Sequence, residues 1–495
     1  MILLILVLSI TLYGCKGNMK STKTVTIGIT QDLDSLDPHK AVAAGTKEVL
    51  FNIYEGLYKL DKNGELVSAV AESYEVSSDD LVYIFNIRNG IKFHNGNNVT
   101  ANDIEYSIKR SAGMLKPSDP MIAVISAFSV ISDVEAIGDN TVKIVLNEPD
   151  TEILYYLSTC DIIPKDYAEI STKPIGTGPF KFVSYSPLES VVMEKYNDYY
   201  LENKQQIEKV IFKISSDTDS AFMELRSGVI DILPYLTDAQ AEQIPEGYYV
   251  KEGSMNLIQG IFLNNEREPF NDIRVRQALS YAIDRQKIID IVAGGKGEVL
   301  GTNMFPGFKN YYDETLVDVY DFNPDKAKEL LKEAGYDNGI SFTIKVPSNY
   351  QYHVDTAQIV VEQLKESGIN ADIQLIEWSA WLSEVYKERD YQATLSGLAA
   401  EVAPRKALER FNTEAGNNFM NYKNPEFDNL YKTANNTNDE NERILYYKQM
   451  QAMLTKDAAA VYIQNPFQIT AINDKLDGYT YYPIYVQDMS LIYFK

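Results

Sequence analysis

The sequence is poor in the residues from which metal centres and disulfides are built. Its 495 residues include two cysteines and three histidines, and neither cysteine belongs to a Cys-x-x-Cys pair. If Cys15 is modified, Cys160 remains alone, and one cysteine cannot form an internal disulfide. The chain also lacks the GxSxG, HExxH and Walker patterns of common enzyme classes. We therefore expect a protein that is not an enzyme and uses no cofactor.

Positive charge is scarce relative to negative charge. There are 46 Lys and Arg residues against 70 Asp and Glu, which gives a formal net charge of −24. Nucleic acid is excluded as a partner, because no basic surface is available to neutralise phosphates. The acidity is compatible with a cationic or zwitterionic ligand, although a solvated acidic surface is the simpler explanation.

Long hydrophobic runs are also lacking, apart from the N-terminus. Residues 1–13 are almost wholly apolar and are followed by Gly14 and Cys15. This run is short for a membrane helix and resembles a lipoprotein signal, in which Cys15 becomes the lipidated N-terminus. We expect residues 1–15 to be a signal peptide and residues 16–22 a tether. The protein would then lie outside the cytoplasm, attached to the cell membrane by a lipid.

The most informative stretch is residues 263–289, LNNEREPFNDIRVRQALSYAIDRQKII. A strand-type run, QGIFL, precedes it, and Pro269 interrupts regular structure. Asp272 and Asp284 are predicted to cap two successive helices, and Gly294-Gly295 to end the second. A strand followed by an irregular link and a capped helix predicts a crossing between domains. The length of the chain predicts two or three of them.

Two further segments carry local structural signals. In residues 91–110, Asn95-Gly96 predicts a turn, and Thr100 with Asp103 predicts a capping box that opens a helix through Arg110. The apolar spacing of residues 45–57 predicts another helix.

Several motifs together resemble one protein family. Residues 93–107, FHNGNNVTANDIEYS, are similar to the FHNGxxVTAxDVxYS pattern of the solute-binding proteins of peptide and nickel ABC importers. The likeness extends over nearly the whole chain beyond the signal. The other motifs that carry it are SLDP at 35–38, GTGPF at 176–180, LRSGVID at 225–231, the block at 263–289 and KAKELLKEAGY at 326–336.

The resemblance implies a bilobed α/β fold of the type II periplasmic-binding kind, with an extra inserted domain. Mapped onto this sequence, lobe one takes residues 23–50, 171–263 and 468–495, the inserted domain takes 51–170, and lobe two takes 264–467. Two chain crossings, near 263–265 and 464–467, would form a hinge. A ligand would lie in the cleft between the lobes of what we expect to be a monomer.

The resemblance also implies ligand-binding residues. Peptide binders of the family hold the ligand α-amino group with the carboxylate of a Gly-x-x-x-Asp run, and this chain has Glu401 in that place, unless it is a solvent-facing loop carboxylate. Trp378 either stacks on the ligand or packs in the core, and Leu398 replaces a larger aromatic residue. The remaining candidates are Asp32 and Leu33 on lobe one, Gln259 on the cleft floor, Tyr352 and His353 on a polar loop of lobe two, Arg405 as receptor of a ligand carboxylate, and Met121 as a pocket wall.

The function that the resemblance implies is capture of a short peptide and its delivery to the permease of an ABC transporter in the membrane. The alternative is capture of nickel or of a metal chelate, because nickel binders share these motifs. Of the three histidines, only His353 is expected to be free to enter the cleft, and one histidine supplies only a single ligand to a metal. A sensor that binds its ligand without transport is a further alternative.

Overall fold

The structure is a computed structural model that describes residues 23–116, 119–201, 206–348 and 350–495. The predicted signal, the tether and Cys15 lie outside the described residues. None of the described helices combines the length and the hydrophobicity that a membrane span requires.

Twenty strands are formed by the described residues. In chain order, β1 to β20 are Thr24–Ile29, Tyr58–Leu60, Leu66–Ser68, Ala71–Val76, Val82–Ile87, Ile131–Ile137, Thr141–Leu146, Phe180–Ser186, Ser190–Lys195, Lys209–Ile214, Ile232–Leu233, Tyr248–Ser254, Leu257–Leu263, Gly297–Val299, Ile340–Pro347, Ile369–Ile376, Ala393–Ala399, Ala460–Asn473, Leu476–Asp477 and Tyr493–Phe494.

Thirteen α-helices accompany these strands in the described part of the chain. In order, α1 to α13 are Ala44–Leu50, Ala101–Ser111, Ile153–Leu157, Thr218–Arg226, Asp238–Ala241, Ile273–Tyr281, Arg285–Val292, Pro324–Glu333, Gln351–Lys365, Trp378–Ala380, Arg405–Glu409, Pro425–Asn435 and Glu440–Lys456. Helix α10 continues directly into a π-helical turn, Trp381–Lys387.

Lobe one is built on the first half of a large sheet. Strand β1 lies between β10 and β11 and is parallel to both, and β9 and β8 extend the sheet antiparallel beyond β10. Alternate residues of β1 and β10, such as Val25, Ile27, Val210 and Phe212, are fully buried in one hydrophobic core. The alternation follows from the period of two along a strand.

Lobe two is built on the second half of the same sheet. Strand β15 is parallel to β16 and β17, and β13 lies antiparallel between β17 and β18. One face of this half is covered by α6, α8 and α9, and the other carries the ring-rich core to which Phe262, Phe419 and Tyr447 belong. The two halves confirm the predicted bilobed α/β class.

The chain crosses between the lobes at two places. Strand β18 pairs with β13 through its first residues and with β12 from Phe467 onward, so that it changes lobe at 465–467. The other crossing is at 255–256, between β12 and β13. The prediction of a crossing near 263–265 is wrong, because β13 pairs with β17 from Leu257 to Leu263 and therefore already belongs to lobe two. The other predicted residue bounds of the lobes stay a prediction.

The inserted domain has a separate antiparallel sheet in the order β4-β5-β7-β6. Helix α2 packs on β6 and β7 and begins at Thr100, whose backbone and side chain both bond to Asp103, as the capping box predicts. Its hydrophobic core runs from Leu57 to Ile162 and also takes in Ala403 of lobe two. The inserted domain can therefore be treated as a third body.

The predicted caps of the block at 263–289 are confirmed. Asp272 accepts a hydrogen bond from the backbone N–H of Arg274 at 2.8 Å, and Asp284 accepts one from that of Lys287 at 3.0 Å. Gly294 and Gly295 follow α7 with φ of +55° and +82°, a region of backbone conformation that favours glycine.

Two local predictions are wrong. The helix expected over 45–57 ends at Leu50, because the Asn52 amide donates to the carbonyl of Val49 at 3.3 Å and to that of Gln487 at 2.8 Å. A side chain that bonds to the last carbonyl groups competes with continuation of the helix. Tyr352 and His353 do not lie on a loop. They lie in the first turn of α9, which begins at Gln351 because Val354 and Ala357 extend its buried face back to that point.

Candidate functional site

The cleft wall on lobe one lies at the carboxyl ends of three parallel strands. Strands β1, β10 and β11 end at the same edge of the sheet, and ligands of open α/β sheets bind at such an edge. A cavity of about 310 Å³ opens there. Its lining includes Gln31, Glu48, Tyr235, Leu236, Met255 and Tyr485. Met255 belongs to the first crossing, so the cavity reaches the hinge.

The two predicted residues of lobe one lie just after β1. The carboxylate of Asp32 accepts hydrogen bonds from the hydroxyl of Tyr185 at 2.9 Å and from the backbone N–H of Leu188 at 3.1 Å. These contacts tie the segment after β1 to the β8–β9 hairpin. Leu33 is half-buried against the core of lobe one. The described contacts of both residues are therefore made within lobe one.

The cleft floor is a buried network of amides. Gln259 is fully buried, and its Nε2 lies 2.9 Å from Nδ1 of His353 and donates to Oγ1 of Thr356 at 3.1 Å. Its Oε1 accepts from Nε2 of Gln464 at 2.8 Å, which joins β13 to β18 beside the second crossing. The predicted residues Gln259 and His353 are thus brought together, with Tyr352 half-buried next to them.

His353 is not free to enter the cleft, which corrects the prediction. Only 6% of its surface is exposed, and burial lowers its pKa to about 4. The imidazole is therefore neutral at pH 7. The other two histidines also make hydrogen bonds within the fold. Nε2 of His39 lies 2.8 Å from the carbonyl oxygen of Asp161, and Nε2 of His94 lies 2.9 Å from that of Gly178.

Three rings, which we call the aromatic wall, stand beside the cleft floor: Tyr350, Trp378 and Trp381. Trp378 is 37% exposed and stacks on Trp381, with ring centroids 4.9 Å apart and planes within 7°. Tyr350 meets Trp378 edge to face at 5.5 Å and lies 5.6 Å from the ring of His353. Trp381 is buried and donates from Nε1 to Oγ1 of Thr394 at 2.9 Å. Trp378 therefore rests on a fixed inner ring, and Tyr350 in turn meets Trp378.

Strand β17 carries the next part of the site. Gly397 pairs with Gln259, and Leu398 pairs with Ile258 and is half-buried against the core of lobe two. A side chain at Gly397 would be crowded, because a Cβ there would lie 3.0 Å from Cε1 of His353. The backbone of β17 thus approaches the amide floor closely at Gly397.

Glu401 lies beside the first crossing. The residue before it, Ala400, donates its backbone N–H to the carbonyl of Asn256 at 3.0 Å. Its carboxylate is 52% exposed, and Oε1 lies 3.9 Å from NH2 of Arg410. Arg410, which sequence reasoning missed, is largely buried, and burial lowers its pKa. The carboxylate of Glu401 is therefore accessible, and its ion pair with Arg410 is long.

Arg405 is placed elsewhere, at what we call the junction between lobe two and the inserted domain. Its NH2 lies 2.9 Å from Oδ2 of Asp150, and its backbone N–H donates to the carboxylate of Glu152 at 3.0 Å. Glu152 also accepts from the hydroxyl of Tyr447 at 2.7 Å. The prediction that Arg405 receives a ligand carboxylate is corrected, because two nearly buried carboxylates already pair with its charge.

Met121 is also apart from the group around Gln259. It is 68% exposed on a loop of the inserted domain, and its backbone N–H donates to Asp119 at 2.9 Å. The same loop is attached to lobe one, because Ala123 donates to the carbonyl of His39 at 2.8 Å. An exposed methionine there is free to adapt its shape, although its described contacts do not connect it to lobe two.

A metal centre has no support in the described ranges. No group of three or more His, Cys, Asp or Glu side chains within them is arranged to hold a metal ion. The site that the structure does assemble has a cavity on lobe one, a neutral amide floor, and rings with a carboxylate on lobe two. These features suit an organic ligand with a cationic group.

Residues 65–419 match the family model of the bacterial extracellular solute-binding proteins, family 5, middle part. The chain belongs to this family. A similar relative is the oligopeptide-binding protein AppA of Bacillus subtilis, 28% identical over an alignment of 534 positions, which covers 98% of this chain and 96% of AppA. The family is one of transport proteins, so the chain is an extracytoplasmic solute-binding protein.

Solved structures agree with the fold. HbpA2 of Haemophilus parasuis is 26% identical and superposes with a TM-score of 0.86 over 95% of this chain and 100% of HbpA2. DppA of Helicobacter pylori, solved in complex with the peptide STSA, is also 26% identical, with a TM-score of 0.74 over 95% of this chain and 98% of DppA. These matches confirm the predicted family and fold class.

Proposed function

We propose that this protein captures a short peptide between its lobes and delivers it to the permease of an ABC transporter. The observation that carries this proposal is that the aromatic wall stands beside the buried amide floor, and that strand β17 leads from this floor to the exposed carboxylate of Glu401. Support comes from two similar proteins, since AppA is named for binding oligopeptides and DppA was solved with a bound peptide.

In the proposed complex, Glu401 pairs with the α-amino group of the peptide. A charge-assisted hydrogen bond of this kind is about twice as strong as a neutral one. Trp378 and Tyr350 stack on the peptide backbone or on one of its side chains. No bond is made or broken, and the binding energy is used to bring the lobes together around the peptide.

The two crossings at 255–256 and 465–467 serve as the hinge in this proposal. They are adjacent, because Ser254 pairs with Phe467 and the backbone N–H of Met255 donates to the carbonyl of Pro466 at 3.0 Å. Two neighbouring strands that cross together allow the lobes to rotate about a single axis. The protein would act as a monomer, held at the outer face of the cell membrane by a lipid on Cys15.

Native mass spectrometry of the purified protein, followed by release under denaturing conditions, tests the proposal. We expect a series of co-purified short peptides at up to one per protein. Nickel or a metal chelate bound in stoichiometric amount would overturn the proposal and would favour the alternative function. A protein that binds no member of a mixed peptide library after unfolding, washing and refolding would also contradict it.

The anchoring role of Glu401 has a separate test. Each of several tripeptides is titrated with a free and with an N-acetylated amino group. We expect acetylation to weaken binding at least tenfold. Equal affinity of the two forms would show that the α-amino group is not gripped, even if peptides remain the ligands.

A further inference from the structure

Glu48 is a buried carboxylate without a counter-charge on the lobe-one side of the cleft. It lies in α1 and is only 6% exposed. Its Oε1 accepts from the hydroxyl of Tyr235 at 2.7 Å, and its Oε2 accepts from Nε2 of Gln487 at 3.2 Å. Both donors are neutral, and in the part of the chain that the structure describes no Lys, Arg or His forms an ion pair with it. Burial raises the pKa of this carboxyl above its usual value.

In the described part of the chain, the other carboxylates whose whole residue is as inaccessible to solvent each have a cation close by. Asp37 pairs with Arg110 at 2.6 Å, Glu55 with Lys59 at 2.9 Å, and Asp150 with Arg405 at 2.9 Å. Burial of a charge is costly unless a partner of opposite sign and hydrogen bonds compensate for it. Glu48 has the hydrogen bonds and lacks the cation.

The space that would hold such a cation is present. Glu48 and its hydrogen-bond partner Tyr235 both line the cavity of about 310 Å³ at the carboxyl edge of the lobe-one sheet. Apolar side chains such as Leu236 and Met255 line it as well. A long side chain with an apolar stem and a charged end, like that of lysine or arginine, matches apolar walls with a carboxylate among them.

The cavity and Glu401 both lie next to the first crossing, at 255–256. Met255 lines the cavity, and the next residue, Asn256, accepts the hydrogen bond from Ala400 that places Glu401 beside the crossing. The cavity that Glu48 lines and the segment that carries Glu401 therefore both reach one crossing. A ligand with two separated cationic groups would contact both lobes and favour their closure.

We propose that Glu48 binds a cationic side chain of the ligand, so that the protein prefers peptides that contain lysine or arginine. This inference rests on the proposed peptide function and adds a second anchor to it. The α-amino group would pair with Glu401 on lobe two, and the basic side chain with Glu48 on lobe one.

The test uses pairs of tripeptides that carry lysine or norleucine at the same position, because norleucine keeps the apolar stem and lacks the charge. Affinities are measured by titration calorimetry for the wild type, for Glu48→Gln and for Glu194→Gln. The second variant removes the same charge from the β8–β9 hairpin, where Glu194 pairs with Lys181 at 2.8 Å.

We expect the wild type and Glu194→Gln to prefer lysine at least tenfold at one position of the peptide, and Glu48→Gln to prefer it less than threefold. Glutamine retains the hydrogen-bond acceptor for Tyr235, so a purely structural role of Glu48 would leave the preference unchanged and overturn the inference. A wild type without any lysine preference would overturn it as well, whether or not the variant folds. Failure of every tripeptide to bind would instead contradict the peptide function itself.

Discussion

Two regions of lobe two differ in how their side chains are placed. At the junction, the charge of Arg405 is buried and paired. At the cleft, the rings of Tyr350 and Trp378 and the carboxylate of Glu401 are half-exposed. The two regions are only four residues apart in the chain, since Glu401 belongs to the cleft and Arg405 to the junction. Arg405 is held by two carboxylates of the inserted domain, while Glu401 has one cation at 3.9 Å. The junction therefore fixes lobe two against the inserted domain, whereas Glu401 and the outer rings remain accessible to solvent.

Disruption of the junction should have the largest effect on the stability of the protein. We expect Glu152→Ala to lower the free energy of unfolding by about 3–5 kcal/mol, because it leaves the buried guanidinium of Arg405 with one partner fewer. Chemical denaturation followed by circular dichroism measures the change. Glu72→Ala, an exposed residue of the same domain, is the control and should stay within about 0.5 kcal/mol of the wild type. An equally small effect of both variants would show that the junction is not a stabilising contact.

The cleft floor should respond to acid through His353. Its pKa in the folded protein is about 4, below the value of 6.5 in an unfolded chain, so the unfolded state binds the proton first. Stability is therefore fully present above pH 6.5 and is lost as the pH falls toward 4. Between pH 7 and pH 5 this residue alone should cost about 2 kcal/mol.

Denaturation curves at pH 7 and pH 5 for the wild type and for His353→Gln check this expectation. His39 and His94, whose pKa values burial also lowers to about 4, are present in both proteins, so their contributions cancel in the comparison. The variant should lose about 2 kcal/mol less than the wild type over this interval. Identical losses would mean that His353 is protonated without cost in the folded state.

The carboxylate of the cleft should matter for the ligand and little for the fold. We expect Glu401→Gln to weaken the binding of free-amino peptides at least tenfold, which is about 1.4 kcal/mol. The melting temperature should remain within a degree or two of that of the wild type, because the side chain is half-exposed and its ion pair is long. A large loss of stability with unchanged affinity would reverse the contrast between cleft and junction.

The exposed outer ring of the aromatic wall, Trp378, should show the smallest effect. Trp378→Ala removes the exposed outer ring while Trp381 stays buried, and we expect peptide affinity to fall by about 1 kcal/mol, or roughly fivefold. Tryptophan fluorescence during titration reports binding in the wild type, and calorimetry measures both proteins. Trp381→Ala is the informative contrast, since it should lower stability by about 3–5 kcal/mol as a buried aromatic ring.

Local structure was predictable where a few neighbouring residues decide it. The capping box at Thr100 and Asp103 and the caps at Asp272 and Asp284 need only a short side chain within three residues of a helix start. The family motifs extended this knowledge to the whole fold. The first crossing was misplaced because a buried strand such as β13 has the same sequence pattern whichever lobe it pairs with.

The site was less predictable, because its contacts join residues that are far apart in sequence. Arg405 meets Asp150 across 255 positions, and no local pattern indicates that pairing. Glu48 was hidden in an ordinary amphipathic helix, and its partners Tyr235 and Gln487 lie 187 and 439 positions away. For Tyr350 a signal existed, since it precedes two residues that were already candidates for the cleft.

Strand β18 has a consequence for how the protein is assembled. Its 14 residues complete both halves of the large sheet, yet they lie near the C-terminal end of the chain. Lobe two cannot finish its sheet until residues 460–466 are available, and lobe one cannot until residue 473 is available. The partners in β11, β12 and β13 therefore wait for more than 180 residues of intervening chain. A product that stops before Ala460 would lose a strand from both lobes at once.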